Sequence, residues 1–419
     1  MLALENARIL DPERGYIEER GVLLIEGGYI KDFGSPGSVV VPDGYKVIDC
    51  KGMVLMPGLI DAHLHVLGMR SGKIEEELTT PIGVFFARAV NDLGALIDAG
   101  FTSVVDAGGI IALHLKQAVN EGEVRGPRVF SAGLPLSQTF GHGDTHYLPL
   151  EWVDYRKTKK IVPFSSLICD GEDDCRRAAR YSLREGGDFI KVMASGGVLS
   201  QRDRPENRGF TLKELKAIVD EASASGTFVH AHAEGKVGIV NSAEAGVKVI
   251  AHAVYADEEA AEKVKEKGSL VVPTLSIVQR IIEDGEKLGI PDYGLKKASE
   301  VYERHIEAIK TIHRIGINIA TGSDFDGGIG KMGNNALELK LLVEKVGLTP
   351  KDAIKAATIN ASKATGQELG RIERGLPADL ILVEGNPLES VGLLLDNKNI
   401  KLVIKGGDIV KNIIGLPPT

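Results

Sequence analysis

Apolar positions along this chain come in short runs. The run Val54-Leu55-Met56-Pro57-Gly58-Leu59-Ile60 is brief and closes on Asp61-Ala62-His63-Leu64-His65. A run of that length predicts one buried strand. Seven more strand-like runs follow, at 102–106, 127–131, 188–193, 227–232, 247–252, 269–274 and 317–324. Stretches with helical spacing lie between them, at 84–98, 111–124 and 173–185, and Thr211-Leu212-Lys213-Glu214 has the form of a capping box. A long loop is expected over 133–162. Strands alternating with helices predict parallel β/α units, and eight units predict a closed (β/α)8 TIM barrel.

The two ends of the chain have another texture. Short strand-like runs at 7–10, 21–25 and 45–49 are separated by turn signals such as Gly27-Gly28 and Pro42-Asp43-Gly44. Similar runs at 378–383 and 400–404 precede the turn Gly406-Gly407. Each end alone is too small to bury a core, so the two are expected to pair into one small β-sandwich. The expected division is a sandwich half at 1–56, the barrel at 57–365 and the other sandwich half at 366–419.

Composition narrows the partners. Lys and Arg number 50 against 58 Asp and Glu, a net charge of −8, which argues against nucleic acid as a partner. No apolar run approaches the ~20 residues of a membrane span. The start, Met1-Leu2-Ala3-Leu4-Glu5-Asn6, lacks the basic and apolar regions of a secretion signal. Three cysteines cannot build a full disulfide framework; Cys169 and Cys175 can pair if the loop allows, and free thiols in a cytoplasmic protein are the expectation. The expected partner is a small-molecule substrate.

Alternation along a strand puts His63 and His65 on one face, about 7 Å apart, within reach of one cation. An isolated His-x-His reads more readily as two core histidines. The other runs change that reading: His65 ends the first, Lys191 lies in the fourth, His232 ends the fifth, His252 the sixth and Asp324 the eighth. In a barrel these positions meet at the C-terminal rim, where active sites lie. His230 shares the parity of His232, and spacing leaves either as the ligand. Imidazoles and carboxylates suit zinc and similar ions. A lysine joins them only if burial lowers its pKa and it captures carbon dioxide as a carbamate.

These residues resemble the amidohydrolase superfamily. Asp188-Phe189-Ile190-Lys191-Val192-Met193-Ala194-Ser195-Gly196-Gly197-Val198 and Gly141-His142-Gly143-Asp144 resemble its imidazolonepropionase-like, prolidase-related subgroup, which includes Xaa-Pro and Xaa-Arg dipeptidases. The resemblance implies a binuclear zinc hydrolase of amide or peptide bonds in dipeptides or N-acyl amino acids. It assigns His63, His65 and Asp324 to one zinc ion and His232 and His252 to the other. Carboxylated Lys191 and a hydroxide would bridge the two. Asp324 would be general base and then acid, with His142 supporting the substrate carbonyl. Arg202 is a candidate for gripping a substrate carboxylate. Glu234 stands where relatives carry a tyrosine for that carboxylate, which points instead to a cationic substrate group. A homo-oligomer is implied by the resemblance alone. The alternatives are a mononuclear cyclic-amide hydrolase or deaminase, and a non-catalytic barrel scaffold. Metal content per chain separates the three.

Overall fold

Gly58 divides the apolar run 54–60 in two. A Cβ at this position would lie 2.1 Å from Thr102 Oγ1, so only glycine lets the chain pass here. The computed structural model describes residues 1–73, 75–158 and 162–415. Before Gly58 the chain forms β1 (Leu2–Asp11), β2 (Gly15–Glu26), β3 (Tyr29–Gly34), β4 (Lys46–Asp49) and β5 (Val54–Pro57). After it comes β6 (Leu59–Leu64), the first strand of the barrel. The single strand expected over this run is therefore two, serving two layers.

The barrel continues with β7 (Phe101–Asp106) and β8 (Arg128–Ser131), both parallel to β6. Two very short strands follow, β9 (Leu136–Ser137) and β10 (Leu167–Ile168), inside and just beyond the stretch expected to be loop. Residues 159–161 of that stretch lie outside the described residues. The next strands are β11 (Ile190–Met193), β12 (Val229–Ala233), β13 (Val249–His252) and β14 (Leu270–Val272), in parallel register. The Asp188 amide donates to Ser131 O at 2.8 Å and joins β8 to the approach of β11.

The expected eighth strand has no continuous ladder, yet it closes the ring. Val271 donates to Asn318 O at 3.0 Å, Ala320 to Val271 O at 2.9 Å, and Ala62 to Thr321 O at 2.8 Å. The segment thus lies between β14 and β6. Helices pack around the ring at Ile82–Asp98, Ile110–Asn120 and Glu172–Arg184. Thr211 caps the helix Leu212–Ala224, with Glu214 returning the bond as the sequence pattern requires.

β15 (Leu380–Val383), β16 (Ile400–Lys405) and β17 (Asp408–Asn412) complete a mixed sheet in the order β17-β16-β15-β5-β1-β2-β3, with β4 on β1. The two chain ends meet where β15 runs antiparallel to β5, from Leu380 opposite Pro57 to Val383 opposite Val54. Leu4, Ile9, Leu23, Leu55, Leu380 and Leu402 form its apolar core. The structure is therefore a parallel (β/α) barrel with a sandwich-like sheet built from both termini. Among the described residues, no helix is long and apolar enough to cross a membrane.

Candidate metal centre

His63 and His65 leave the end of β6 with ring centroids 5.6 Å apart. Asp324 comes to them from the closing segment. Its Oδ1 lies 3.4 Å from His63 Nε2 and 3.3 Å from His65 Nε2. These distances are long for charge-assisted hydrogen bonds. They match the ~3.3–3.4 Å edge of a tetrahedron whose corners lie about 2.0–2.1 Å from a zinc ion. The donor atoms of the three residues all fall within 4.8 Å of one another.

The surrounding bonds fix which atoms face inward. His65 Nδ1 lies 2.8 Å from Gly108 O, and His63 Nδ1 lies 2.9 Å from His230 Nε2. Both Nε2 atoms are thereby left for a cation, as is usual for ligating histidines. Asp61 ties β6 to the closing segment. Its Oδ1 accepts from the His63 amide at 3.0 Å and the Ser323 amide at 3.2 Å. Its Oδ2 accepts from Ser323 Oγ at 2.7 Å and Asn335 Nδ2 at 2.8 Å. Asp324 itself has φ of 59°, and His252 and Thr274 have 73° and 58°. Such backbone costs about 1–3 kcal/mol per residue and collects at functional sites.

Burial keeps His63, His232 and His252 neutral, the form that binds metals, whereas Asp324 raises His65 against its burial. Burial pushes His63 down to about 3, and His232 and His252 well below the ordinary histidine range. Burial opposes charge on Asp324 too, but His63 and His65 hold its carboxyl well below the usual range. Burial also lowers the Lys191 amine to about 7.

The two-metal arrangement is not what the side chains build. Among the described residues, one trio of carboxylate and imidazole donors converges, and it is His63, His65 and Asp324. His232 and His252 line the same cavity, but their donor atoms are not part of that trio. Lys191 Nζ lies 3.3 Å from His63 Nε2. A binuclear zinc site bridged by carboxylated Lys191 needs a second converging set, so the centre is mononuclear, as in the cyclic-amide hydrolase or deaminase alternative.

These residues share one cavity of about 250 Å³, lined by His63, His65, Lys191, His232, His252 and Asp324 together with His142 and Glu234. Leu67, Phe164, Ile277 and Ile281 give it apolar walls. His142 stacks on His232 at 4.2 Å, and its Nδ1 lies 2.9 Å from Ser200 Oγ. Glu234 is 5% exposed, and its Oε2 has no hydrogen-bond partner among the described residues. Burial raises its carboxyl to about 8. Arg202 is exposed and lies outside the cavity lining. His305 lines the cavity from the helix Asp292–Ile315, with Nε2 2.8 Å from His252 O.

Asp61, His230, Asn335 and His305 were not singled out for these roles by their spacing. For Asp61 a signal existed. It is an acid inside an apolar run, on the same parity as His63, and a buried carboxylate demands partners.

The amidohydrolase family profile matches residues 54–410. The chain is 38% identical over 370 residues to the ochratoxinase of Aspergillus niger, covering 85% of this chain and 76% of that one. It is 24% identical over 415 residues to the imidazolonepropionase of Psychromonas ingrahamii, covering 91% and 92%. A crystal structure of a prolidase complexed with N-methylphosphonate-L-proline superposes with a TM-score of 0.90 at 34% identity, covering 98% of this chain and 99% of that one. With a metal-binding trio at the barrel rim and this match across most of its length, the chain belongs to the amidohydrolase family, the metal-dependent hydrolases of carbon–nitrogen bonds.

Proposed function

We propose that the protein hydrolyses an amide carbon–nitrogen bond in a small, largely apolar substrate, using one divalent cation held by His63, His65 and Asp324. The observation that carries this is the 3.3–3.4 Å spacing of their donor atoms at the cavity wall. Zinc or a similar ion there supplies a Lewis acid and makes water a nucleophile near neutral pH.

The chain's own groups supply the rest. Asp324 takes the proton of the attacking water and delivers it to the departing nitrogen. Its second oxygen, Oδ2, lies 4.0 Å from His252 Nδ1. His142, oriented by Ser200 and by its stack on His232, supports the carbonyl oxygen as charge gathers there. His232, His252 and Lys191 complete the polar wall that orients the amide. Glu234 faces the substrate with an unpaired oxygen. It accepts a cationic group as the carboxylate, or donates a hydrogen bond while protonated. The apolar wall of Leu67, Phe164, Ile277 and Ile281 takes the remainder of the substrate.

The relatives suggest where to look. Their names point to ochratoxin, imidazolonepropionate and proline dipeptides. The test is a panel of cyclic amides, N-acyl amino acids, Xaa-Pro dipeptides and ochratoxin, with metal-free, metal-loaded and Asp324→Asn protein. The expected result is amide turnover that needs the metal and is lost in Asp324→Asn. No turnover anywhere in the panel, or turnover indifferent to Asp324→Asn, overturns the reading.

A further inference from the structure

His63 and His65 are held differently. His65 gives its Nδ1 to a backbone carbonyl, whereas His63 meets a second imidazole, with Nδ1 2.9 Å from His230 Nε2. The two rings cross edge to face, with centroids 4.8 Å apart and planes at 69°. One proton lies on the line between the two nitrogens. If His230 donates it, the proton of His63 sits on Nε2, and that atom cannot ligate. If His63 donates it, Nε2 is open towards Asp324.

Among the described residues, His230 makes one side-chain hydrogen bond, the one to His63. It is fully buried, its ring stacks on Phe189 at 5.7 Å, and its Nδ1 has no hydrogen-bond partner among the described residues. When Nε2 accepts, Nδ1 carries the ring proton without a partner, a desolvation cost that the fold bears to keep an imidazole here. A histidine serving only the core would be replaced by an apolar side chain without loss. Here the imidazole is spent on one contact, behind the metal-facing side of His63.

We propose that His230 is a positioning residue of the metal centre: its Nε2 accepts a hydrogen bond from His63 Nδ1–H and so keeps His63 Nε2 unprotonated and turned to the cation. This rests on the single-metal reading above. The role is usually filled by a carboxylate or a carbonyl. An imidazole fills it without adding a charge, which suits a site already carrying the anion of Asp324.

The test compares wild type, His230→Phe and His230→Gln as metal-free full-length proteins. Phenylalanine keeps a ring for Phe189 and removes the acceptor, and glutamine restores an acceptor oxygen. Cobalt(II) is titrated in, its visible absorption is recorded, and affinity is measured by competition with a chelator. The expected result is an affinity loss of about 10- to 100-fold in His230→Phe with an altered cobalt spectrum, and recovery of both in His230→Gln. The metal-free unfolding midpoint of His230→Phe should not fall. Wild-type affinity and spectrum in His230→Phe overturn the proposal, and so do equal losses in both variants. If His230→Phe fails to fold, histidine-selective 15N spectra of the zinc-loaded wild type decide. A proton on His63 Nδ1 supports the assignment, and one on Nε2 overturns it. A wild type that binds no cobalt removes the metal reading itself and this role with it.

Discussion

Gly322→Ala tests whether the closing segment and β6 are set to the spacing a cation needs. A Cβ at Gly322 would lie 2.4 Å from Val272 Cγ1, 2.8 Å from His63 Cβ and 2.9 Å from His63 N. Carbon atoms rest at about 3.5–4.0 Å, so the backbone of His63 has to retreat by ~0.7 Å or more. Val272 can rotate, but the His63 amide is pinned to Asp61 and cannot. Overpacking of this kind costs about 1–3 kcal/mol. Metal–ligand distances tolerate only about 0.2 Å, so the shift also parts His63 from Asp324 as ligands. Gly94→Ala is the control. Gly94 lies within the helix Ile82–Asp98 with nothing within 4 Å of a new Cβ, and the change should stabilise by about 0.5–1 kcal/mol. The assays are urea unfolding of metal-free protein and cobalt titration. Gly322→Ala should lose both stability and cobalt affinity, while Gly94→Ala keeps its affinity. Wild-type cobalt affinity in Gly322→Ala would refute the claim that this contact sets the site.

Three further outcomes follow from the same structure. Lys191 is a base whose amine sits at about 7 when folded against 10.5 when free, so the stability it allows is whole above pH 10.5 and is lost as pH falls towards 7. That window is worth about 5 kcal/mol in metal-free protein, and Lys191→Met should flatten it; an unchanged pH slope between 7 and 10 counts against the burial argument. Thr211→Ala removes the capping box of the helix Leu212–Ala224 and should cost ~1 kcal/mol in urea unfolding, with cobalt binding untouched. At pH 9, where the Glu234 carboxyl, raised to about 8, is ionised, Glu234→Gln should leave cobalt binding intact and raise KM for substrates with a cationic group more than for neutral ones; an equal effect on both denies Glu234 a role in charge selection.

Much of this was legible in the sequence because chemistry and period agree there. His63, His65 and Asp324 fall at strand ends, and a barrel brings strand ends together whatever the loops do. The sandwich was legible because neither terminus alone can bury a core. What failed is what depends on single atoms. His232 and His252 come to the cavity as expected, but one nitrogen of each ring meets Gly196 O or Thr274 Oγ1, and neither joins the converging trio among the described residues. Spacing cannot show such partners, because they arrive from other loops. The split at Gly58 was hidden because two strands in different sheets share one apolar run. β9 and β10 are two residues each, too short to leave a period. The closing segment keeps its apolar pattern but pairs with β14 through a single bridge at Ile319, and Asp324 at its end donates to His63 O at 2.7 Å from the left-handed region.

The central claim is one cation per chain, held by three side chains. Elemental analysis of protein saturated with zinc and freed of loosely bound ions measures it directly, on wild type and on His65→Ala. The account predicts one zinc per chain in the wild type and none in His65→Ala. Two per chain in the wild type, or one retained in His65→Ala, would contradict it.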